Sequence, residues 1–289
     1  MAAGCCLLLA LTLGGSARTA GSSVSRADPA APILLVATDV PYATGRSLDV
    51  YRPSTAPGHP PPVVVMLHAC CGDRSDLVKL AEATAAAGVL VLNADWAGLD
   101  ADARYPGAYE DAACAVRYAR SAAARYGGDP SRVALVGWSD GALVAAVIAF
   151  AGERYDAGRC RAPGFGARPD ALIGVGGYYG WRLPVPEQLV TSRTVRFFGG
   201  TPKTAPLNWH DATPYTWLRS SVGPVRTTLL VGEKDPLRSD ASAFAAMLHR
   251  AGHPAALVVA PPAGDQSMIS PRTEEGRTTV REIVAAAGG

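Results

Sequence analysis

Few residues of this 289-residue chain carry obvious chemistry, and the most telling group is Gly137-Trp138-Ser139-Asp140-Gly141. It fits G-x-S-x-G, a spacing that suits a serine nucleophile when a buried strand ends on it and a helix starts from it. The turn is sharp, so the flanking glycines avoid clashes between backbone and Cβ. The serine hydroxyl is left exposed above the sheet, and the positive end of the helix helps stabilise developing negative charge. The competing reading is a serine in an ordinary glycine-flanked turn. A serine alcohol also needs a base within hydrogen-bond reach. The chain has 5 histidines: His59, His68, His210, His249 and His253.

The elements around Ser139 must supply that strand–turn–helix context. Residues 132–137 form an apolar run that reads as a buried strand, and residues 142–151 read as a helix. Similar runs at 63–68 and 89–93 read as buried strands, and 172–175, 226–231 and 256–260 as further strands. Residues 33–38 and 47–51 read as an antiparallel pair. Helical spacing covers 73–87, 109–126, 240–251 and 272–287. This alternation predicts an α/β fold: a mostly parallel central sheet with helices on both faces. Residues 177–224 interrupt it as a long Gly-, Pro- and Trp-rich insertion, the length expected of a functional lid. Trp181, Trp209, Trp217, Tyr178, Tyr179 and Tyr215 gather there, either to line an apolar pocket or to pack the insertion down.

Composition narrows the function classes. The chain is 48% hydrophobic, which excludes disorder throughout. Lys+Arg number 27 and Asp+Glu 25, with no basic block, so no nucleic-acid partner is expected. Nucleotide loops, zinc helices and calcium loops are missing from the sequence, so no cofactor and no metal are expected. Residues 5–13 are apolar, followed by Gly14, Gly15, Ser16 and Ala17. The run is too short to span a bilayer and fits a secretory signal over residues 1–20, cleaved after Ala17 or Ala20. Residues 21–32 then read as a linker or mature tail, and 33–289 as one domain in a secreted or extracytoplasmic protein. Removal of the signal leaves Cys70, Cys71, Cys114 and Cys160, enough for one or two disulfides whose pairing spacing alone does not give.

The chain resembles the α/β-hydrolase superfamily, specifically the esterase/lipase-like carboxylesterases, from about residue 47 onward. The most specific stretch is 105–141, including Tyr126-Gly127-Gly128-Asp129-Pro130-Ser131-Arg132-Val133 before the elbow. The resemblance implies that Ser139 is the nucleophile of a triad. Where the family has a His-Gly-Gly-Gly type loop, this chain has His68-Ala69-Cys70-Cys71-Gly72. The oxyanion hole is then expected from the N–H of Cys70 (or Ala69) with that of Asp140. A Cys71–Cys114 disulfide is the preferred use of that cysteine, with a buried free thiol as the alternative. Gly232-Glu233-Lys234-Asp235 matches the position of the triad acid, which makes Asp235 the partner of an imidazole. Its plainer reading is an N-cap-like residue before the next helix.

The base is where the chain departs from the family. The triad histidine belongs in the loop after the last strand, residues 261–269, and no histidine follows His253. Asp265 stands in its place, or Gln266 if the register is one residue later. A carboxylate of reference pKa about 3.9 is a weak base, and beside Asp235 it meets like-charge repulsion. Loss of a triad member leaves roughly 10³–10⁴-fold catalysis over water. Among the existing histidines, His68 reads as structural, His210 as part of the insertion and His59 as solvated. His249 and His253 read as cations at a helix C-terminus. Two functions follow: a serine hydrolase taking a small ester, with an impaired or unorthodox base, or a catalytically inactive protein that binds a small ester or apolar ligand on the same fold.

Overall fold

A computed structural model describes residues 33–53, 58–98, 103–180, 185, 187, 190–219, 223–261 and 265–288. The expected signal over 1–20, the tail over 21–32, Trp181 and the side chain of Asp265 lie outside the described residues.

Among the described residues, eight strands form one sheet: β1 (Ile33–Ala43), β2 (Arg46–Pro53), β3 (Val63–Leu67), β4 (Leu90–Ala94), β5 (Val133–Trp138), β6 (Ala171–Val175), β7 (Arg226–Gly232) and β8 (Ala255–Ala260). Their order is β1-β2-β4-β3-β5-β6-β7-β8. The two pairings made by β2 are antiparallel and the rest are parallel. Every residue of β3, β4, β5 and β6 is buried, which is why these strands are continuous apolar runs rather than alternating ones. The outermost β8 is only partly covered.

Strand side chains alternate between two cores. Val63, Val65 and Leu67 face one with α2 (Gly107–Ala122), α3 (Asp140–Ala151) and residues 197–212. Val64 and Met66 face the other, against α1 (Val78–Ala86) and the C-terminal helix. Helices therefore cover both faces, as the alternation in the sequence predicts.

The boundaries differ from the sequence reading at several places. The helix expected over 73–87 opens with a 3₁₀ turn, because the Asp73 side chain accepts from Ser75 N–H and tightens the entry. The helix expected to end at Tyr126 finishes in a 3₁₀ turn and stops at Gly127, whose φ of 87° suits glycine. The insertion carries α4 (Ser192–Phe198), α5 (Pro206–Asp211) and α6 (Pro214–Trp217), the last two each opened by a proline. Trp209 is fully buried, donates from Nε1 to Gly200 O at 2.9 Å and packs 4.3 Å from Phe198. Tyr179 is buried and stacks at 4.6 Å on Phe244 of α7 (Arg238–Arg250). For these two aromatics the packing reading holds. After β8 come α8 (Asp265–Met268), inside a stretch expected to be loop, and α9 (Glu274–Gly288).

The expected Cys71–Cys114 disulfide is not formed. Cys114 is bonded to Cys160, and Cys70 and Cys71 are free thiols. The reason is the burial of α2: Cys114 sits in the core, facing the segment after α3, which is itself paired to β1 through Ala43 and Cys160. Cys71 is exposed at the end of β3. The bridge closes a separation of 46 residues. Cross-links of this kind typically stabilise by about 2–4 kcal/mol. A Cys114→Ser/Cys160→Ser double variant is expected to lose stability of that order, read as a lower denaturant midpoint with a somewhat larger m-value, because the unfolded chain expands once the cross-link is gone.

Candidate active site

The site is built on the turn between β5 and α3. Ser139 has φ 55° and ψ −120°, a backbone conformation that side chains other than glycine rarely adopt. Two hydrogen bonds hold it there: Ser139 N–H donates to Val175 O at 2.9 Å, and Ala142 N–H donates to Ser139 O at 2.9 Å. The flanking glycines are sterically required. A Cβ on Gly137 would lie 2.2 Å from Gly141 O, and one on Gly141 would lie 2.5 Å from His68 O. The elbow thus folds onto itself and onto the end of β3. Ser139 stays half-buried above the sheet, at the mouth of a helix whose first-turn N–H groups have no partner within the helix.

The loop after β3 is anchored by His68, which is fully buried. Its Nδ1 lies 2.6 Å from Ala69 O, and its carbonyl accepts from Trp96 Nε1 at 3.0 Å. Its Nε2 lies 3.4 Å from Asp95 Oδ1, long for a hydrogen bond but close for a charge. This contact holds the Asp95 carboxyl below its ordinary value, helped by Arg74 and Arg46 and opposed by burial. His68 therefore ties the ends of β3 and β4 together, the structural role expected of it. Its partners Asp95 and Trp96 were not anticipated, although they stand directly after a strand the sequence does reveal.

Cys70, half-buried, follows in the same loop. Burial raises its thiol well above the usual value, reinforced by the charge of Asp140 and a hydrogen bond to it. That contact places the Cys70 side chain against the first residue of α3, so the structure brings Cys70, Asp140 and Ser139 together. From the insertion, Arg193 Nη1 reaches Cys71 Sγ at 2.7 Å and Cys70 Sγ at 3.9 Å. Sequence reasoning missed Arg193, because a lone arginine on a short helix carries no periodic signal.

Asp235 lies in the turn after β7. Its Oδ1 accepts from Leu237 N–H at 2.8 Å, just ahead of α7, so the cap-like reading is true of one oxygen. Its Oδ2 is buried and has no hydrogen-bond partner among the described residues. Ser139 and Asp235 follow the C-terminal ends of β5 and β7, with β6 between them. Two strand spacings separate those ends by about 10 Å, room for a bridging side chain. α8 begins at Asp265 beyond β8, with Gln266 exposed.

The histidines are committed elsewhere. His253 is a correction: rather than a cation at a helix end, it is buried between two backbone groups. Its Nδ1 accepts from Val225 N–H at 3.2 Å and its Nε2 donates to Leu218 O at 2.9 Å, which needs an unprotonated Nδ1. His210 pairs with Asp211 at 2.8 Å. His210 itself is exposed, and its helix meets Tyr155, whose OH donates to Asp211 O at 3.4 Å. His59 and His249 are exposed.

Comparison with known proteins places this geometry. The BD-FAE family model matches residues 48–243, well over half of the chain. The chain belongs to the BD-FAE family. Esterase LipQ of Mycobacterium tuberculosis is 27% identical to it over 238 residues, 74% of this chain and 53% of that protein. This BD-FAE chain therefore spans about half the length of that relative. Among solved structures, esterase B from Lactobacillus rhamnosis, inhibited by a tributyrin phosphonate, superposes with TM-score 0.72 at 16% identity, covering 91% of this chain and 88% of that one. A thermophilic esterase from Thermogutta terrifontis with butyrate bound gives TM-score 0.67 at 18% identity, covering 88% and 92%. The fold is the α/β-hydrolase fold, as the resemblance implied.

Two outcomes follow from this geometry. Gly137→Ala forces a methyl group into Gly141 O and is expected to cost about 3 kcal/mol, measured by denaturant unfolding. Asp95→Asn removes a carboxylate whose depressed pKa stabilises the fold above the ordinary carboxyl range. That contribution is lost as pH falls through the depressed value. The variant is expected to be less stable than wild type at neutral pH, with the gap closing below about pH 4.

Proposed function

We propose that this BD-FAE chain is a serine hydrolase of carboxylesterase type that takes small esters by acyl transfer, with an impaired base. The observation that carries this reading is the backbone of Ser139, held in a conformation with a positive φ between two glycines that no other residue can replace. Such strain persists where the surrounding structure over-determines it, and it marks functional turns. Family membership and the likeness to esterases support the activity class. The butyrate and the tributyrin phosphonate held by two of the structural neighbours support a short acyl chain.

In this reading Ser139 Oγ attacks the ester carbonyl carbon. The resulting oxyanion is met by the N–H groups of Cys70 and Asp140, with the start of α3 behind them. Collapse expels the alcohol and leaves an acyl group on Ser139, which water then removes. Asp235 supplies the acid position, and its unpartnered Oδ2 supports that assignment. The resemblance assigns the base position to Asp265, or to Gln266 one residue later. As a carboxylate Asp265 takes the Ser139 proton poorly, and its repulsion with Asp235 favours protonation of one of the pair. Turnover is therefore slow. The second reading, an inactive ligand-binding protein, is favoured by one observation: the histidines of the chain are either buried on other partners or exposed. Export remains part of the proposal, and the Cys114–Cys160 bridge supports an oxidising compartment.

Turnover of a short-chain p-nitrophenyl ester is expected to fall about tenfold or more in Ser139→Ala. Equal rates would sink the hydrolase reading and leave the binding protein. Asp265→His is expected to raise turnover by about an order of magnitude or more. A folded variant with no gain would mean that the base position is misassigned, with Gln266→His the next substitution to make.

A further inference from the structure

The loop that follows β3 holds two adjacent thiols that the hydrolase reading does not use. In an extended strand, successive side chains point to opposite faces. Here Cys71 has φ 64°, a left-handed backbone that breaks the alternation, and its sulfur lies 3.1 Å from that of Cys70. The pair is asymmetric. Cys71 is exposed and receives the Arg193 guanidinium, while Cys70 is half-buried against Asp140. A sulfur open to reagents beside a second, shielded sulfur is the arrangement of an attacking and a resolving thiol.

The geometry points to Cys70–Cys71 as a redox modification site that closes to a vicinal disulfide at the expense of a small disulfide, and in closing alters the loop that serves Ser139. The Cys71 thiolate attacks one sulfur of the reagent, whose S–S bond breaks and releases one thiolate. Cys70, losing its proton as it attacks, displaces the second reagent thiol from Cys71 as the Sγ–Sγ bond forms. The two protein thiols give up two electrons and two protons, and the reagent is reduced to two thiols. The new ring contains the Cys70–Cys71 peptide and so removes freedom from the backbone next to the Cys70 N–H. The effect on Ser139 rests on the hydrolase reading, in which that N–H meets the oxyanion. The chemistry of the thiols does not.

The test replaces Cys5 and Cys6 by serine (Cys5→Ser, Cys6→Ser), so that Cys70 and Cys71 are the two cysteines outside the Cys114–Cys160 bridge, treats the full-length chain with oxidised glutathione, and follows intact mass, thiol titration and peptide mapping. The expected product has lost two hydrogens and both titratable thiols, carries no lasting glutathione adduct, and has its new link inside the Cys70–Cys71 peptide. Cys71→Ser, which cannot close the ring, leaves Cys70 as a thiol or a stable mixed disulfide. Persistent adducts on Cys70 or Cys71 in the chain that keeps both, or a Cys70 and Cys71 that stay reduced, overturn the site. Labelling of Ser139 by a fluorophosphonate is expected to slow about tenfold or more on oxidation, because an oxyanion-hole donor is displaced. An unchanged rate overturns the coupling to Ser139. Absence of labelling in the reduced protein counts against the hydrolase reading, and the mass readout still decides the dithiol.

Discussion

The architecture around the site depends on the close approach of β5, α3 and the end of β3. Ser139 cannot hold its φ of 55° unless Gly137 and Gly141 let three backbone segments meet, and a conformation of this kind costs about 1–3 kcal/mol. That cost is offset by the elements on either side. β5 is buried along its whole length between β3 and β6, and α3 is buried from Gly141 to Ala151. An all-apolar helix is stable in water only when something covers it all round. Here the sheet covers one side, and α2 with the helices of the insertion covers others. The aromatic packing of Trp209 and Tyr179 thus has a role close to home: it closes the core from which α3 projects Ser139.

The same packing explains what could be read from residues alone. The strand runs were legible because burial on both faces demands unbroken apolar stretches, and the elbow because its glycines have no substitute. α4, α5 and α6 were not legible. They run only 7, 6 and 4 residues, too short for a hydrophobic period, and tertiary contact rather than propensity makes them helical. The Cys114 partner was hidden for a related reason. Spacing along a chain says nothing about which loop a buried helix faces, and only the pairing of residue 160 with β1 brings its sulfur to α2. Within the site, Ser139 and Asp235 stand at the strand ends where sequence places them. The contacts that tune the site, from Asp95, Trp96 and Arg193, come from residues with no fixed spacing to either.

The polar groups near the sheet's upper edge are unequally satisfied. The His253 ring engages backbone groups on two other segments, so it cannot turn toward Ser139 without leaving a buried group unpaired. Asp235 is the opposite case. One of its oxygens is bonded and the other is buried without a partner among the described residues. A lone carboxylate oxygen in that state is a cost to the fold, and its natural relief is a donor from outside the turn.

The Cys114–Cys160 bridge has a topological meaning beyond its contribution to stability. The ring it closes contains β5, the Ser139 turn and the whole of α3. A protease that cuts once anywhere between residues 114 and 160 opens that ring without releasing either piece. The strand before the serine and the helix after it stay on one covalent body, joined through sulfur instead of peptide. A nick between α3 and Cys160 is therefore invisible to sizing under non-reducing conditions and visible under reducing ones.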